Sequence, residues 1–328
     1  MTETISNEDY ENLRNTILPK INLEIEKLLD KCKFPEVLKM VSAGKKKNRA
    51  LSTVFSYGVF KEDIEKSLPA AAAVDVLTFS GNIIDDIVEK DKIRRGYETI
   101  NSKQDEGYAT LAAINSMLLA LKYLSNNYKK ELNATIYEHM LEATLSAVEG
   151  EFSLKMQIAK DEIDIENYLE GLKKINGKPY GFSTALGAIV AETSTQDIRK
   201  MYNYGFHKGV ATQILGEIKN VYGIDEHETP ISEAKNGRNL LWIYAKRVVD
   251  KENKKKLKKA IKNGDYNLFM KICNNSGVLD FVRKEGKKEV DAALASISDI
   301  KTNKYAHCLR KMAYDINQEI EKYTLINL

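Results

Sequence analysis

Proline and glycine are scarce: five and 18 in 328 residues. So few obligatory turns argue against a sandwich or barrel of many short strands and leave a mostly helical chain. Cysteine is scarcer still. Cys32, Cys273 and Cys308 lie far apart, match no metal-ligand spacing and build no disulfide framework, which fits a reduced, cytosolic (cytoplasmic) protein. Charge of one sign is lacking too: 50 Lys and Arg against 47 Asp and Glu leave +3, unlike a dedicated nucleic-acid binder with its clustered basic excess. No nucleic-acid partner is expected. Long apolar runs are missing. Ala70–Val74 stops at Asp75 and Ala185–Ala191 is short, so no transmembrane segment is expected. The first nine residues are acidic and carry no apolar stretch, so no signal peptide is expected. The four histidines (His139, His207, His227, His307) do not cluster, and none is assigned a role.

What the chain has is apolar content, 43%, arranged at helical spacing. Leu13, Ile17, Ile21, Ile25 and Leu28 form one stripe, with Pro19 expected to interrupt it. Leu111–Leu124, Leu132–Met156 and Gln196–Val221 read as further helices, and Asn239–Val249 opens another. Breaks are expected at Gly44, Pro69, Gly96, Gly177-Lys178-Pro179, Gly223 and Asn236-Gly237. No low-complexity linker divides the chain and no internal repeat appears. The expectation is one large all-α domain over residues 1–328, with ten or more helices. The basic run Lys254–Lys262 alternates with apolar residues at helical spacing and reads as a solvated helix face.

The most informative segment is Thr78–Thr99. On a helix Asp85 and Glu89 are four residues apart and share a face, with Asp86 beside them, at the end of the otherwise apolar stretch from Val74 to Ile84. Like charges so close raise one another's pKa, and an oxygen-preferring divalent cation offsets the repulsion. Mg²⁺ takes one or two carboxylates together with substrate phosphate oxygens. Arg94 and Arg95 follow, and paired arginines suit bidentate phosphate contacts. Together these point to a diphosphate ligand. The alternative is a solvated helix end whose Asp and Arg residues make exposed ion pairs.

The order Asp85-Asp86-Ile-Val-Glu89, then Arg94-Arg95-Gly96, resembles the first aspartate-rich motif of the trans-polyprenyl diphosphate synthases, within the class I isoprenoid synthases. Glu89 replaces the motif's last Asp. The likeness runs along nearly the whole chain. Gly44-Lys45-Lys46-Lys47-Asn48-Arg49 is similar to the family's Gly-Lys-Arg-x-Arg segment, which holds isopentenyl diphosphate; Lys45 fits and Arg49 sits one place late. Glu149-Gly150-Glu151 stands at a Gly-Gln pair. Tyr168 and Leu186-Gly187-Ala188 keep the spacing around a Lys-Thr-Gly motif, of which Gly177 alone remains, with Lys174 and Lys178 flanking the gap. Gly205, Gly209, Gln213 and Glu217 resemble the approach to the second aspartate-rich motif. There Gly216, Glu217 and Asn220 occupy the Asp positions, so the second motif is degenerate, and Gly237 stands at a downstream Lys position with Lys235 and Arg238 beside it.

The resemblance implies an all-α helical bundle around a central apolar cavity, the isoprenoid synthase fold, and pairing as a homodimer. It implies Mg²⁺-dependent, head-to-tail condensation of an allylic diphosphate with isopentenyl diphosphate. Asp85, Asp86, Glu89 and Glu217 would hold metal, Asp85, Asp86 and Lys174 would act in catalysis, and Lys45, Arg49, Arg94, Arg95, Gln213 and Lys235 would bind substrate. Small residues at the fourth and fifth places before Asp85, Gly81 and Ser80, with Phe79 further out, imply a product of twenty carbons or more. Three alternatives stand beside this one. A peptide (tryptophan) prenyltransferase is suggested by Asn239–Arg247. A class I terpene cyclase would need one diphosphate only. A non-catalytic partner subunit of a synthase would explain the altered Lys-Thr and second Asp motifs.

Overall fold

Why these sequences form helices is visible at their ends. Asp105, Asp164, Asp250 and Asp265 each accept a hydrogen bond from the backbone N–H three residues on, which satisfies an otherwise orphaned helix donor. In the computed structural model, which describes residues 5–44, 46–224 and 230–325, sixteen α-helices follow one another among the described residues. They are α1 (Asn7–Leu29), α2 (Pro35–Ala43), α3 (Asn48–Phe60), α4 (Leu68–Glu89), α5 (Ile100–Lys103), α6 (Glu106–Asn127), α7 (Lys130–Ala159) and α8 (Ile165–Leu172). They continue with α9 (Lys178–Val190), α10 (Thr195–Tyr222), α11 (Ser232–Lys235), α12 (Leu240–Val248), α13 (Lys251–Asn263), α14 (Tyr266–Asn275), α15 (Val278–Ser296) and α16 (Lys304–Thr324). The strands among the described residues form one hairpin, β1 (Ile93–Arg94) against β2 (Tyr97–Glu98). The all-α expectation holds.

Two expected breaks did not form. Pro19 lies inside α1, because Ile17, Ile21 and Ile25 on either side of it are at most 1% exposed and packing holds both halves. At Gly177-Lys178-Pro179 the chain does not leave the helix. Lys173–Gly177 forms a π-turn, and Pro179 falls in the first turn of α9, where its missing N–H costs little.

The chain gathers into two compact units, each built from three segments: Met1–Leu141, Tyr180–Gly205 and Ser296–Met312 in the first; Glu142–Pro179, Phe206–Ala295 and Ala313–Leu328 in the second. The boundaries at 141 and 205 fall inside α7 and α10, so no linker-like composition marks them. A single domain was the expectation on that composition.

The first unit is organised on α4, which packs against α1, α3 and α6. Ala70–Ala73 on α4 and Ala109, Ala112 and Ala113 on α6 are all at most 1% exposed, and such small side chains let helix axes approach closely. Glu65–Glu89 is long and apolar enough by composition to cross a membrane, although no uninterrupted run predicts it, and 61% of its most apolar window is buried within the protein. In the second unit α13 buries Leu257, Ala260 and Ile261. Apolar stripes remain exposed on two helices: Leu111, Ile114 and Leu118 on α6, and Leu141, Leu145, Val148, Phe152 and Met156 on α7.

Candidate active site

In the first unit, α4 ends at Lys90, in the left-handed region at φ 59°, and the chain turns into the β-hairpin. Arg94 pairs with Tyr97, so Arg95 and Gly96 are the two loop residues, at φ 56° and 75°. Both positive φ values mark a type I′ turn, which explains the glycine after two arginines. The two arginines are thereby sent to different places. Arg94 is 8% exposed and its Nε donates to Asp86 Oδ1 at 2.6 Å; Asp86 is 2% exposed. The pair locks the hairpin to the end of α4, assisted by Asn101 donating to the Asp86 carbonyl at 3.3 Å. Phosphate contacts were expected of Arg94 and metal contacts of Asp86; here the two side chains are paired with each other. Asp85 and Glu89 are half-buried on the same turn-spaced face of α4.

Arg95 reaches back to the segment after α2. A methyl group on Gly44 would lie 2.7 Å from Arg95 Nη1, so a larger residue there would push the guanidinium aside. Lys45 lies outside the described residues. Lys47, in the left-handed region at φ 42°, is buried and donates to Asp75 Oδ2 at 2.6 Å and to the Val41 carbonyl at 3.1 Å. Arg49 donates to Thr78 Oγ1 at 3.3 Å, with its guanidinium 4.3 Å from the centre of the Tyr180 ring. Burial pushes the Asp75 carboxyl pKa up, and Lys47, Arg95 and Arg49 pull against that shift. Three cations from two segments thus converge on one carboxylate of the core helix. Neither Asp75 nor Lys47 was singled out from the sequence. The available signal was that Asp75 is the one charge between Leu68 and Ile84.

Ser80 faces α6. It is 7% exposed and its hydroxyl donates to the Ala113 carbonyl at 2.8 Å, whereas a methyl on Gly81 would meet nothing within 4 Å.

In the second unit the region of the second aspartate-rich motif is a structural staple. Glu217 is fully buried on α10. Its Oε1 accepts from Tyr168 at 2.9 Å and Gln213 at 3.2 Å, and its Oε2 accepts from the backbone N–H of Leu240, the first residue of α12. The Tyr168 hydroxyl in turn accepts from Asn239 N at 2.9 Å. Burial raises the pKa of both Glu217 and Tyr168. Asn220 is also buried; it accepts from Glu233 N at 3.1 Å and donates to Ser232 at 2.7 Å. A metal role was expected of Glu217 and a substrate role of Gln213; here Glu217 ties α10 to the start of α12, and Gln213 supports it from one turn earlier on α10. Among the described residues no group of three or more His, Cys, Asp or Glu side chains is gathered to hold a metal.

Lys174 is half-buried on the π-turn, where a methyl on Gly150 would lie 2.8 Å from its Cβ, which accounts for the glycine in Glu149-Gly150-Glu151. Glu151 and Arg238 make a bidentate pair at 2.6 and 2.9 Å. Lys235 is exposed and lines a cavity of about 250 Å³ together with residues of α7, α12 and α13.

Comparison with known proteins agrees with this reading of the fold. Residues 34–272 match the family model described as polyprenyl synthetase. The short chain isoprenyl diphosphate synthase of Methanocaldococcus jannaschii is 28% identical over 253 residues, covering 75% of this chain and 77% of the relative. The geranylgeranyl diphosphate synthase of Saccharolobus solfataricus is 26% identical over 320 residues, covering 90% and 93%. The crystal structure of geranylgeranyl pyrophosphate synthetase from Pyrococcus horikoshii superposes with a TM-score of 0.83 at 21% identity, over 94% of this chain and 99% of that one.

Proposed function

Because the chain belongs to the polyprenyl synthetase family, we propose that it transfers prenyl groups, condensing an allylic diphosphate with isopentenyl diphosphate to a polyprenyl diphosphate of twenty carbons or more. Relatives named as geranylgeranyl and geranylfarnesyl diphosphate synthases support that product class. The observation that carries the reading to particular residues is the first unit's arrangement along α4. Asp85 and Glu89 stand at its end, and Arg49 and Arg95 stand with Lys47 around Asp75.

Mg²⁺ takes one or two carboxylates and fills its remaining positions with water and phosphate oxygens, so the Asp85 and Glu89 pair suits it. Held there, it would supply Lewis-acid stabilisation of the departing diphosphate. Arg49 and Arg95 bind and orient diphosphate oxygens by charge-assisted hydrogen bonds. The allylic C–O bond breaks with its electron pair leaving on diphosphate. The isopentenyl double bond attacks the allylic carbon, and a proton is lost from the adduct to the released diphosphate. The allylic cation would need an apolar surround that keeps water out, and open space at Gly81 suits a lengthening chain. Lys174 is carried as a further cation on its motif position alone.

The exposed stripes on α6 and α7 support a homodimer, since contiguous apolar surface on a helix calls for cover and a two-fold pairs a patch with its own copy. The three free thiols suit a reducing cytoplasm. The decisive test incubates purified protein and Mg²⁺ with an allylic diphosphate, with and without isopentenyl diphosphate, and reads products by mass. Elongated diphosphates only when both are present support the condensation. Hydrocarbon formed from the allylic substrate alone would sink it.

A further inference from the structure

The basic run on α13 reads from sequence as a solvated face, yet one of its lysines lines a cavity. That cavity, about 250 Å³, lies within the second unit. Three helices each bring one lysine to it: Lys235 from α11, Lys246 from α12 and Lys258 from α13. One carboxylate stands among them, Asp161, which accepts from Lys246 at 3.1 Å. Three ammonium groups against one carboxylate leave the wall two charges positive, the complement of a dianion. The remaining wall is apolar: Ile158, Ile163, Ala234, Ile261 and Trp242. Lys246 Nζ lies 5.7 Å from the centre of the Trp242 ring. The positive environment is already felt by Asp161, whose carboxyl pKa is lowered by Lys246 first and by Lys258 and Lys254 further off.

An anion held by lysines with an apolar wall beside it selects for two features in one molecule. The volume falls below the roughly 300–1,000 Å³ of pockets for drug-sized ligands, so the ligand is small. We propose that this cavity is an anion-binding site for a phosphate or diphosphate monoester carrying a short apolar group, with Lys246 and Lys258 as its principal ligands. It shares no residue with the Asp85–Arg95 segment. Nothing in it depends on the proposed condensation.

Trp242 is the chain's one tryptophan, so its emission reports this cavity without a competing indole. Full-length protein without added Mg²⁺ is titrated with inorganic diphosphate and, separately, with pentyl phosphate. A saturable emission change is expected with both. Lys246→Gln/Lys258→Gln should weaken binding about tenfold or more, since both charge-assisted hydrogen bonds to the anion are lost. Asp161→Asn should tighten it several-fold, an opposite response that a merely misfolded variant does not give. Arg49→Gln/Arg95→Gln should leave the titration unchanged. Indifferent emission, or equal binding in the double lysine variant, would overturn the site. Loss of the signal in the Arg49→Gln/Arg95→Gln protein would overturn it too, because the signal would then report the condensation site. A response to inorganic diphosphate alone overturns the apolar part of the assignment.

Discussion

Removing the Asp75 carboxylate tests the organisation of the first unit most directly. Asp75→Ala leaves the Lys47 ammonium, with a side chain 2% exposed, facing only the Val41 carbonyl. Breaking a buried pair from one side costs about 3–5 kcal/mol. The Asp75 side chain keeps 15% exposure, so some water reaches the pair and about 2–4 kcal/mol is expected. Lys47→Met/Asp75→Leu replaces both charges by apolar groups of similar size and should recover most of that loss, because two desolvation penalties vanish with the attraction. Urea unfolding followed by circular dichroism gives the stabilities. The same double variant separates stability from function. Arg49 and Arg95 lose the carboxylate that their charges converge on, so KM for the diphosphate substrates should rise about tenfold even where stability is restored. A single variant losing less than 1 kcal/mol, or a double variant as unstable as the single, would refute the buried-pair reasoning. A stable double variant with unchanged KM would refute the positioning of the two arginines.

Five further outcomes follow from the same geometry. Asp85→Ala should abolish condensation while leaving the melting temperature nearly unchanged, because the half-buried carboxylate is assigned to chemistry; full activity would remove it from the site. Glu217→Ala strands the Tyr168 hydroxyl, the Gln213 amide and the Leu240 N–H in the interior, for a loss of about 3–5 kcal/mol; an unchanged melt with weakened Mg²⁺ dependence would return it to the metal ligands. The raised Glu217 pKa means that the folded state holds its proton more tightly than the unfolded one, so this group's contribution to stability falls as pH rises from about 4.5 upward, and Glu217→Gln should flatten that slope in pH-dependent denaturation. Gly81→Phe fills open space on α4 and should shorten the products seen by mass, and Phe152→Lys on the α7 stripe should convert a dimer to a monomer in light scattering.

Much of this molecule was legible one residue at a time. Helical periods located the long helices, because a stripe such as Ile17, Ile21 and Ile25 is itself the buried face. Gly96 marked a turn because a type I′ loop needs positive φ. What the residue pattern does not announce is the partner of each side chain. The hairpin turns Arg94 onto Asp86. Glu217 lies fully buried between Tyr168 and Leu240, a placement that its position in the motif does not reveal. Pro19 and Pro179 carry real local signals that packing and the π-turn absorb. The two units leave no trace in composition because the chain passes between them inside helices.

The helix Glu65–Glu89 also bears on the choice between bilayer and protein interior. Its most apolar window has the length and composition of a membrane span, and 61% of it is buried within the protein. An aspartate at the centre of such a segment costs about 2.5–3.5 kcal/mol on insertion, against a gain of only about 0.3–0.6 for each Leu, Ile, Phe or Val. Asp75 lies near the middle of that stretch, so it offsets the contribution of roughly five to ten such side chains. The carboxylate on which Lys47, Arg49 and Arg95 converge thus also makes burial against α1, α3 and α6 a better environment for this helix than a bilayer.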